Sequence, residues 1–331
     1  MRRDKEDRAT DAPRFIFGPV VSGRLGLSLG LDLLGARICS FDCLYCEAGP
    51  TEALTVARKP YVPAGKILAE LARWKAAGHG RPDAVTLGGL GEPTLNSDCA
   101  EIIAGAKELF PGVPVAVLTN SSLLPDLDVR AALGAADIVL PSMDTLIPAE
   151  YARLNRPHAA VDLGGLRRGL LEFRAGYGGA LCLEVLLADG INDSEENLEA
   201  LRDYCRELSP DRVDVVTLSR PGAHPGAKAV PKPVLARFRE ALGPAAAGLA
   251  PAASAPAPMT EGHGPAALAA RRGDDLPPSL LASVKRRPQT ARGLAAALGH
   301  SLDAVQAALD ALERDGAVRR RVDGREIFYS G

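Results

Sequence analysis

Between residues 25 and 220, short apolar runs alternate with stretches of helical periodicity, and this alternation constrains the fold more than any other feature. Most apolar runs are rich in Val, Ile and Leu with little polar alternation, which is typical of strands buried on both faces. Six strands separated by helices predict an α/β fold whose parallel sheet is either open or an incomplete barrel. The predicted strands are Leu25–Leu33, Ala84–Leu87, Val115–Leu118, Asp137–Leu140, Leu181–Leu187 and Val213–Leu218, and the helices are Ala64–Ala77, Asp98–Phe110, Leu127–Leu133, Leu163–Arg174 and Ser194–Leu208.

The C-terminal quarter has a different organisation. Residues 244–275 are rich in Pro and Ala and are expected to form a linker between a core domain, 14–243, and a small domain, 276–331. Three short helices followed by a β-hairpin are predicted in the small domain, which is the layout of a winged helix. The helices are Leu280–Lys285, Ala291–Leu298 and Leu302–Arg314, and the hairpin joins Ala317–Arg321 to Glu326–Tyr329 through a turn at Asp323-Gly324.

Composition excludes several classes of function. Of the 331 residues, 47% are hydrophobic and 24% charged, which is enough apolar material for one large and one small core. No apolar run is long enough to cross a bilayer, and the charged N-terminus lacks the apolar stretch of a secretory signal, so we expect a cytoplasmic protein. The net charge of −2 gives no overall attraction to nucleic acid or anionic lipid.

Three of the six cysteines, Cys39, Cys43 and Cys46, are spaced CX3CX2C directly after the first strand. In a reducing compartment such crowding indicates metal binding or redox chemistry, and thiolates favour iron–sulfur clusters or zinc. Closed sites of both kinds need four ligands, and no fourth Cys or His lies nearby. An iron–sulfur cubane on three cysteines would leave one iron open to a small molecule. The other cysteines, which we expect to be buried small residues, are Cys99, Cys182 and Cys205.

The spacing, with Tyr45 just before the last cysteine, resembles the signature of the radical SAM superfamily. The resemblance implies a partial (βα)6 TIM-type barrel, a [4Fe–4S] cluster on the three cysteines, and S-adenosylmethionine on the open iron. It implies that an electron from a donor such as flavodoxin or ferredoxin cleaves the sulfonium. The 5′-deoxyadenosyl radical released would then abstract a hydrogen from the substrate.

Polar and glycine residues where the predicted strands end supply further candidate site residues. The turn after the second strand contains Gly89, Gly91 and Glu92 and is similar to the superfamily's "GGE" segment, whose backbone meets the methionine amine. By the same resemblance, Ser142 and Asp144 would contact the ribose or the methionine carboxylate. Ligands of parallel α/β folds sit at such strand ends, and the remaining cavity candidates there are Asn120, Glu184 and Arg220.

Over residues 15–230 the chain is similar to Fe–S oxidoreductases related to wyosine synthetases. The resemblance is carried by Phe17-Gly18-Pro19-Val20, Ser28-Leu29-Gly30-Leu31-Asp32, Asn155-Arg156-Pro157-His158 and Gly190-Ile191-Asn192-Asp193. It suggests a tRNA base as substrate, although no cysteine precedes Cys39 to hold the second cluster of the archaeal wyosine enzyme. A peptide or protein recruited by the small domain is a comparable alternative. The substrate-side candidates are Arg156, His158 and His224.

The charge of the small domain argues against reading DNA sequence. Its nine Lys/Arg and six Asp/Glu give only +3, and the third helix, which would enter a major groove, carries Asp303, Asp310 and Glu313 against Arg314. The hairpin is basic through Arg319–Arg321 and Arg325, so contact with a phosphate backbone remains an option. The rival function is an iron–sulfur redox sensor that regulates transcription through this domain.

Overall fold

The computed structural model describes residues 14–243, 276–323 and 326–331. In the core, the strands are β1 (Ile16–Ser22), β2 (Gly26–Asp32), β3 (Ile38–Cys39), β4 (Ala53–Leu54), β5 (Ala84–Gly88), β6 (Val115–Thr119), β7 (Ile138–Pro141), β8 (Ala180–Leu187) and β9 (Arg212–Thr217). The core helices are α1 (Ala64–Ala76), α2 (Cys99–Leu109), α3 (Leu127–Leu133), α4 (Pro148–Leu154), α5 (Leu163–Gly176), α6 (Glu195–Leu208) and α7 (Lys232–Leu242).

The main sheet has seven strands in the order β1-β2-β5-β6-β7-β8-β9. Six of them are parallel, and β1 is antiparallel to β2 at one edge. A doubly wound sheet reverses its strand order at a switch point, whereas strands that follow in chain order are the arrangement of a barrel. Within the described ranges β1 and β9 are unpaired edges, so the sheet is an open, partial barrel. The predicted α/β partial-barrel fold is confirmed.

Alternate side chains of each strand are buried on opposite faces of the sheet. On β2, Leu29 and Leu31 join the large core under the helices, while the hydroxyl groups of Ser28 and Thr86 are 2.5 Å apart within the sheet. A second, smaller cluster combines Leu25 and Leu140 with short side chains such as Ala84 and Ala116. Burial on both faces explains why the strands lack polar alternation in the sequence.

Strand β1 was not among the predicted strands. It contains Pro19, which cannot donate to a sheet and is tolerated at an edge, and its register with β2 shifts between Phe17 and Val20. The Phe17 ring lies directly against Gly30, where a Cβ would collide with it. Interrupted patterning of this kind gives no period-two signal, so the sequence analysis placed only β2 here.

Helix starts and ends follow local chemistry. The side chains of Asp126, Asp162 and Ser194 accept hydrogen bonds from backbone N–H groups in the first turns of α3, α5 and α6. Helices α1 and α7 instead begin after Pro63 and Pro231, whose fixed φ suits the approach to a helix. Two short helices, α4 and α7, were not predicted. No helix in the described part of the chain is long and apolar enough to span a membrane.

The C-terminal unit contains α8 (Leu276–Arg286), α9 (Ala291–Leu298), α10 (Leu302–Arg314), β10 (Arg319–Asp323) and β11 (Glu326–Ser330). The two strands form an antiparallel pair, and the helices enclose a separate core around Leu280, Leu294 and Leu309. Helices α8 and α9 also pack on β1. The predicted linker 244–275, together with Gly324 of the predicted turn and Arg325, lies outside the described residues.

Candidate active site

The cysteine-bearing segment, residues 39–46, follows the carboxyl end of β2. Cys39 ends β3, and all three cysteines are half-buried free thiols. Desolvation raises the pKa of Cys39 to about 12, and burial also raises the pKa of Cys43 and Cys46. Buried thiols keep their protons until a metal replaces them, so three such groups on one segment form a donor set for metal rather than a free nucleophile.

The glycine-rich turn after β5 lies directly against this segment. The N–H of Glu92 donates to the carbonyl of Ile38 at 3.2 Å. A Cβ on Gly91 would lie 2.7 Å from the Ile38 carbonyl carbon and closer still to its oxygen, so only glycine permits this approach. Gly89, at φ +115°, has a backbone conformation that other residues rarely adopt. The turn therefore fixes the backbone that leads into Cys39.

The carboxylate of Glu92 is buried and surrounded by donors from the protein itself. One oxygen accepts from the N–H and hydroxyl of Thr94 and from the hydroxyl of Thr119, at 3.1, 2.6 and 2.8 Å. The other accepts from the N–H of Asn120 at 2.7 Å. Burial raises the pKa of Glu92 although these hydrogen bonds oppose the rise. Glu92 thus joins the ends of β5 and β6, and its side chain is engaged by the protein.

Residues 154–158 form a brace that runs antiparallel to residues 40–44. Arg156 has φ +48°, which turns the brace sharply after α4. Because four backbone hydrogen bonds and one bridge connect the two segments, the cysteine segment is held as if it were a strand. These contacts are Leu44 N–H to Leu154 O at 2.9 Å, Asp42 N–H to Asn155 O and to Arg156 O, both at 3.2 Å, His158 N–H to Ser40 O at 2.8 Å, and the bridge Phe41–Pro157.

Two asparagine amides point at the thiols. Asn120 Nδ2 lies 3.5 Å from Cys39 Sγ and 2.9 Å from Ser40 Oγ. Asn155 Nδ2 lies 3.7 Å from Cys43 Sγ. Hydrogen bonds to cluster sulfurs are one of the ways by which a protein sets the reduction potential of an iron–sulfur centre. Asn120 was a predicted site residue, whereas the role of Asn155 was not foreseen.

Asp144 is the centre of a buried hydrogen-bond network. Its carboxylate accepts from the Tyr45 hydroxyl at 2.6 Å, Asn155 Nδ2 at 2.8 Å and the N–H of Leu186 at 2.9 Å. Burial raises the pKa of Asp144, and it also raises that of Tyr45. The amide of Asn192, from the Gly190–Asp193 motif, donates to the backbone carbonyl of Asp144 at 2.8 Å. Asp144 is therefore placed to position Tyr45, next to Cys46, rather than to make the ribose or carboxylate contact expected from the sequence.

The segment after β9, residues 219–224, covers the other side of the cysteine segment. A Cβ on Gly222 would lie 2.6 Å from the carbonyl oxygen of Leu44, so the two backbones touch. The N–H of His224 donates to the same oxygen at 3.2 Å. Arg220 forms an ion pair with Glu47, which follows Cys46, at 3.1 Å.

Asp42 contacts two of the predicted substrate-side residues, Arg156 and His224. Arg156 Nη2 and His224 Nε2 lie 3.1 and 3.0 Å from Asp42 Oδ2. Burial opposes ionisation of Asp42, but the hydrogen bonds from the Thr51 N–H and His224 and the charge of Arg156 outweigh it and lower its pKa. Arg156 and His224 therefore tie down the cysteine segment, and the Nδ1 atom of His158 accepts the N–H of Ala160. None of these contacts is with an open cavity.

The comparisons with known proteins bear on this segment directly. The family model described as "Radical SAM superfamily" matches residues 33–163. A UPF0026 protein of Synechocystis sp. is 37% identical over 210 residues, which are 62% of this chain and 75% of that protein. The chain belongs to the UPF0026 family of radical SAM proteins.

Two further similarities are narrower in scope. A protein described as GTPase Obg, from Brachyspira hyodysenteriae, is 36% identical over 215 residues, which are 65% of this chain but only 31% of that protein. The crystal structure of a radical SAM methyltransferase from Sphaerobacter thermophilus has a TM-score of 0.52 at 20% identity, over 65% of this chain and 62% of that one. The structural similarity supports the fold alone.

Radical SAM enzymes use a [4Fe–4S] cluster and S-adenosylmethionine, and the residues present fit both. Three thiols on one braced segment, two of them facing amide donors, suit a cubane that is ligated by three cysteines. No group of three or more His, Cys, Asp or Glu in the described ranges is arranged to hold a single metal ion. In a cubane each cysteine binds a different iron, so the thiols need not converge on one point.

The last two predicted cavity residues lie side by side on adjacent strands. Ser142, directly after β7, and Glu184, in the middle of β8, form a parallel bridge. Glu184 faces Arg24, from the turn between β1 and β2, in an ion pair across the inner face of the sheet. Arg24 thus binds a carboxylate of the protein itself.

Proposed function

We propose that the protein abstracts a hydrogen atom from its substrate with a radical derived from S-adenosylmethionine. Cys39, Cys43 and Cys46 would hold the cluster, which when bound supplies the electron that cleaves the sulfonium. The observation that carries the proposal is the cysteine segment itself. It is fixed on three sides by the Gly89–Glu92 turn and by residues 154–158 and 219–224.

The residues of the chain would position the cofactors in distinct ways. The backbone of Gly89 and Gly91 is proposed to meet the methionine amine, since neither residue carries a side chain at that turn. Asn120 would hold Cys39 through its amide, and Asp144 would hold Tyr45 through its carboxylate. Ser142, at the open end of β7, keeps its proposed contact with the ribose or carboxylate. An external donor such as flavodoxin or ferredoxin would supply the electron in the cytoplasm.

The substrate class stays divided between a tRNA base and a peptide or protein. We propose that the C-terminal unit is a winged-helix-like domain that presents this substrate to the core, because it packs on β1 rather than standing apart. No observation favours the alternative, a redox sensor that binds DNA. Helix α10, which would enter the groove, exposes Asp303 and Asp310 to solvent and would repel phosphates.

Anaerobic reconstitution tests the proposal. With dithionite and S-adenosylmethionine the wild-type protein should release 5′-deoxyadenosine, and Cys43→Ala should abolish this release because one iron loses its ligand. Cys205→Ala is the matched control, since Cys205 is a buried thiol of α6 outside the site. Loss of release in both variants, or in the wild type with an intact cluster, would contradict the proposal.

A further inference from the structure

A cleft of about 280 Å³ separates the cysteine segment from the C-terminal unit. One wall consists of Arg37 and residues 46–50, and it includes Cys46 itself. The opposite wall contains Lys285, Arg287 and Arg321, from the end of α8 and from β10. Cys46, a proposed cluster ligand, and the C-terminal unit thus line the same small cleft.

The cleft carries an excess of positive charge. Its walls contain four cationic side chains and one side-chain carboxylate, that of Glu47. Glu47 is already shared, because Arg220 and Arg287 lie 3.1 and 3.8 Å from the same oxygen. Arg37 pairs with Glu52 outside the cleft. The charges of Arg321 and Lys285 are thus not balanced by a side-chain carboxylate in the cleft walls.

The chain beside Arg287 is anchored to the core domain by Arg286. Arg286 donates from Nη2 to the carbonyl of Arg14 at 2.8 Å, and its guanidinium lies 4.8 Å from the centre of the Phe17 ring. Burial, together with the positive charges of Arg220 and Arg24, lowers the pKa of Arg287. Arginine nevertheless stays charged in proteins, so these neighbouring positive charges repel one another, and a bound anion would reduce the repulsion.

We propose that this cleft binds a phosphate group of the substrate. Guanidinium groups present paired donors that match phosphate oxygens, and Arg287 and Arg321, from two different segments of the C-terminal unit, can bind one phosphate together. This assignment deepens the proposed function and rests on it, because the phosphate would hold the substrate beside the cysteine segment. A small phosphorylated molecule and a nucleic acid strand share this chemistry.

Calorimetric titration of the reconstituted protein tests the assignment with three probes, namely inorganic phosphate, uridine monophosphate and a short RNA. Arg287→Gln and Arg321→Gln should each weaken binding about tenfold, because each removes a charge-assisted hydrogen bond. Arg287→Lys should be affected less, since it keeps the charge. Tighter binding of the RNA than of the mononucleotide would identify a nucleic acid source, and equal binding would identify a small molecule.

Two arginines serve as matched controls. Arg320 lies on β10 beside Arg321 but faces the other side of the strand, toward Glu313. Arg206 is exposed on α6. Arg320→Gln and Arg206→Gln should bind the probes as the wild type does. If all four Gln variants bind equally, if no probe binds, or if saturating S-adenosylmethionine displaces phosphate, the assignment is overturned.

Release of 5′-deoxyadenosine without substrate separates the two proposals. Arg320 and Arg206 are exposed and lie outside the cleft, so Arg320→Gln and Arg206→Gln should leave the fold, the cluster absorbance and this release unchanged. Normal release without phosphate binding would refute only the cleft assignment. Phosphate binding that depends on Arg321, in a wild-type protein that never cleaves S-adenosylmethionine, would refute the radical function and leave an anion site.

Discussion

Replacing Gly91 by alanine should displace the cysteine segment while destabilising the folded protein only moderately. The new Cβ would lie 2.7 Å from the carbonyl carbon of Ile38. Carbon atoms in contact settle at about 3.5 Å or more, so the two backbones must part by roughly 1 Å. Both neighbours are backbone and cannot rotate away. We expect a loss of about 1–3 kcal/mol in the free energy of unfolding, the usual cost of overpacking.

The effect on the site should be larger than the effect on stability. A displacement of about 1 Å in positioned groups can lower a rate on the order of a hundredfold. Iron content and cluster absorbance after reconstitution report the metal, and 5′-deoxyadenosine release per cluster reports the geometry. Gly65→Ala is the matched control, because nothing lies within 4 Å of a Cβ there, in the first turn of α1. The reasoning is refuted if both variants release 5′-deoxyadenosine at the wild-type rate.

Three further substitutions test the braces around the cysteine segment. Asp42→Asn should lower the free energy of unfolding by about 1 kcal/mol at neutral pH, as expected for partly exposed ion pairs. Because the pKa of Asp42 is lowered in the folded state, the unfolding free energies of wild type and variant, measured in urea, should converge as the pH falls, and a difference that does not change with pH would contradict the ion pairs. Asn155→Leu should make the cluster potential more negative in an EPR-monitored titration, because Cys43 loses an N–H donor, and an unchanged potential would count against it. Glu92→Gln should lower the free energy of unfolding in urea by about 1–3 kcal/mol, because the new side-chain NH2 group would face N–H or O–H donors that now bind a carboxylate oxygen. An unchanged free energy of unfolding would contradict the hydrogen bonds described for Glu92.

Much of the fold could be predicted because burial on both faces leaves a mark in the sequence. The apolar runs at 84–87 and 115–118 lie within β5 and β6, and the order of the elements was enough to predict parallel strands. Strand β1 left no such mark, because an edge strand with a proline and an irregular register lacks periodicity. Helix α4 is a short element of seven residues between two turns, and its pattern is too brief to detect.

The three cysteines could be identified as candidate ligands from the sequence because they lie close together in it. The residues that contact the cysteine segment are far away in the sequence and could not be identified in this way. The hydrogen bond from Asn155 to Cys43 joins residues 112 apart, and that from His224 to Asp42 joins residues 182 apart. The sequence suggests Arg156 and His224 as substrate-side residues. In the structure both side chains contact Asp42 of the cysteine segment, a partner that the sequence does not reveal.

The arrangement around residues 39–46 explains why so many polar residues lie at the strand ends while few of them face open space. The segment that carries the three proposed metal ligands has little regular structure of its own, so its backbone groups need hydrogen-bond partners from other parts of the chain. The brace at 154–158 supplies three carbonyls and one N–H, the Gly89–Glu92 turn supplies another N–H, and Asp42 binds the side chains of Arg156 and His224. Because these partners come from the turn after β5, the segment after α4 and the segment after β9, the cysteine segment reaches its final position only when the partial barrel is assembled. Gly91 and Gly222, which permit the close backbone contacts, are therefore as necessary to the proposed metal site as the thiols.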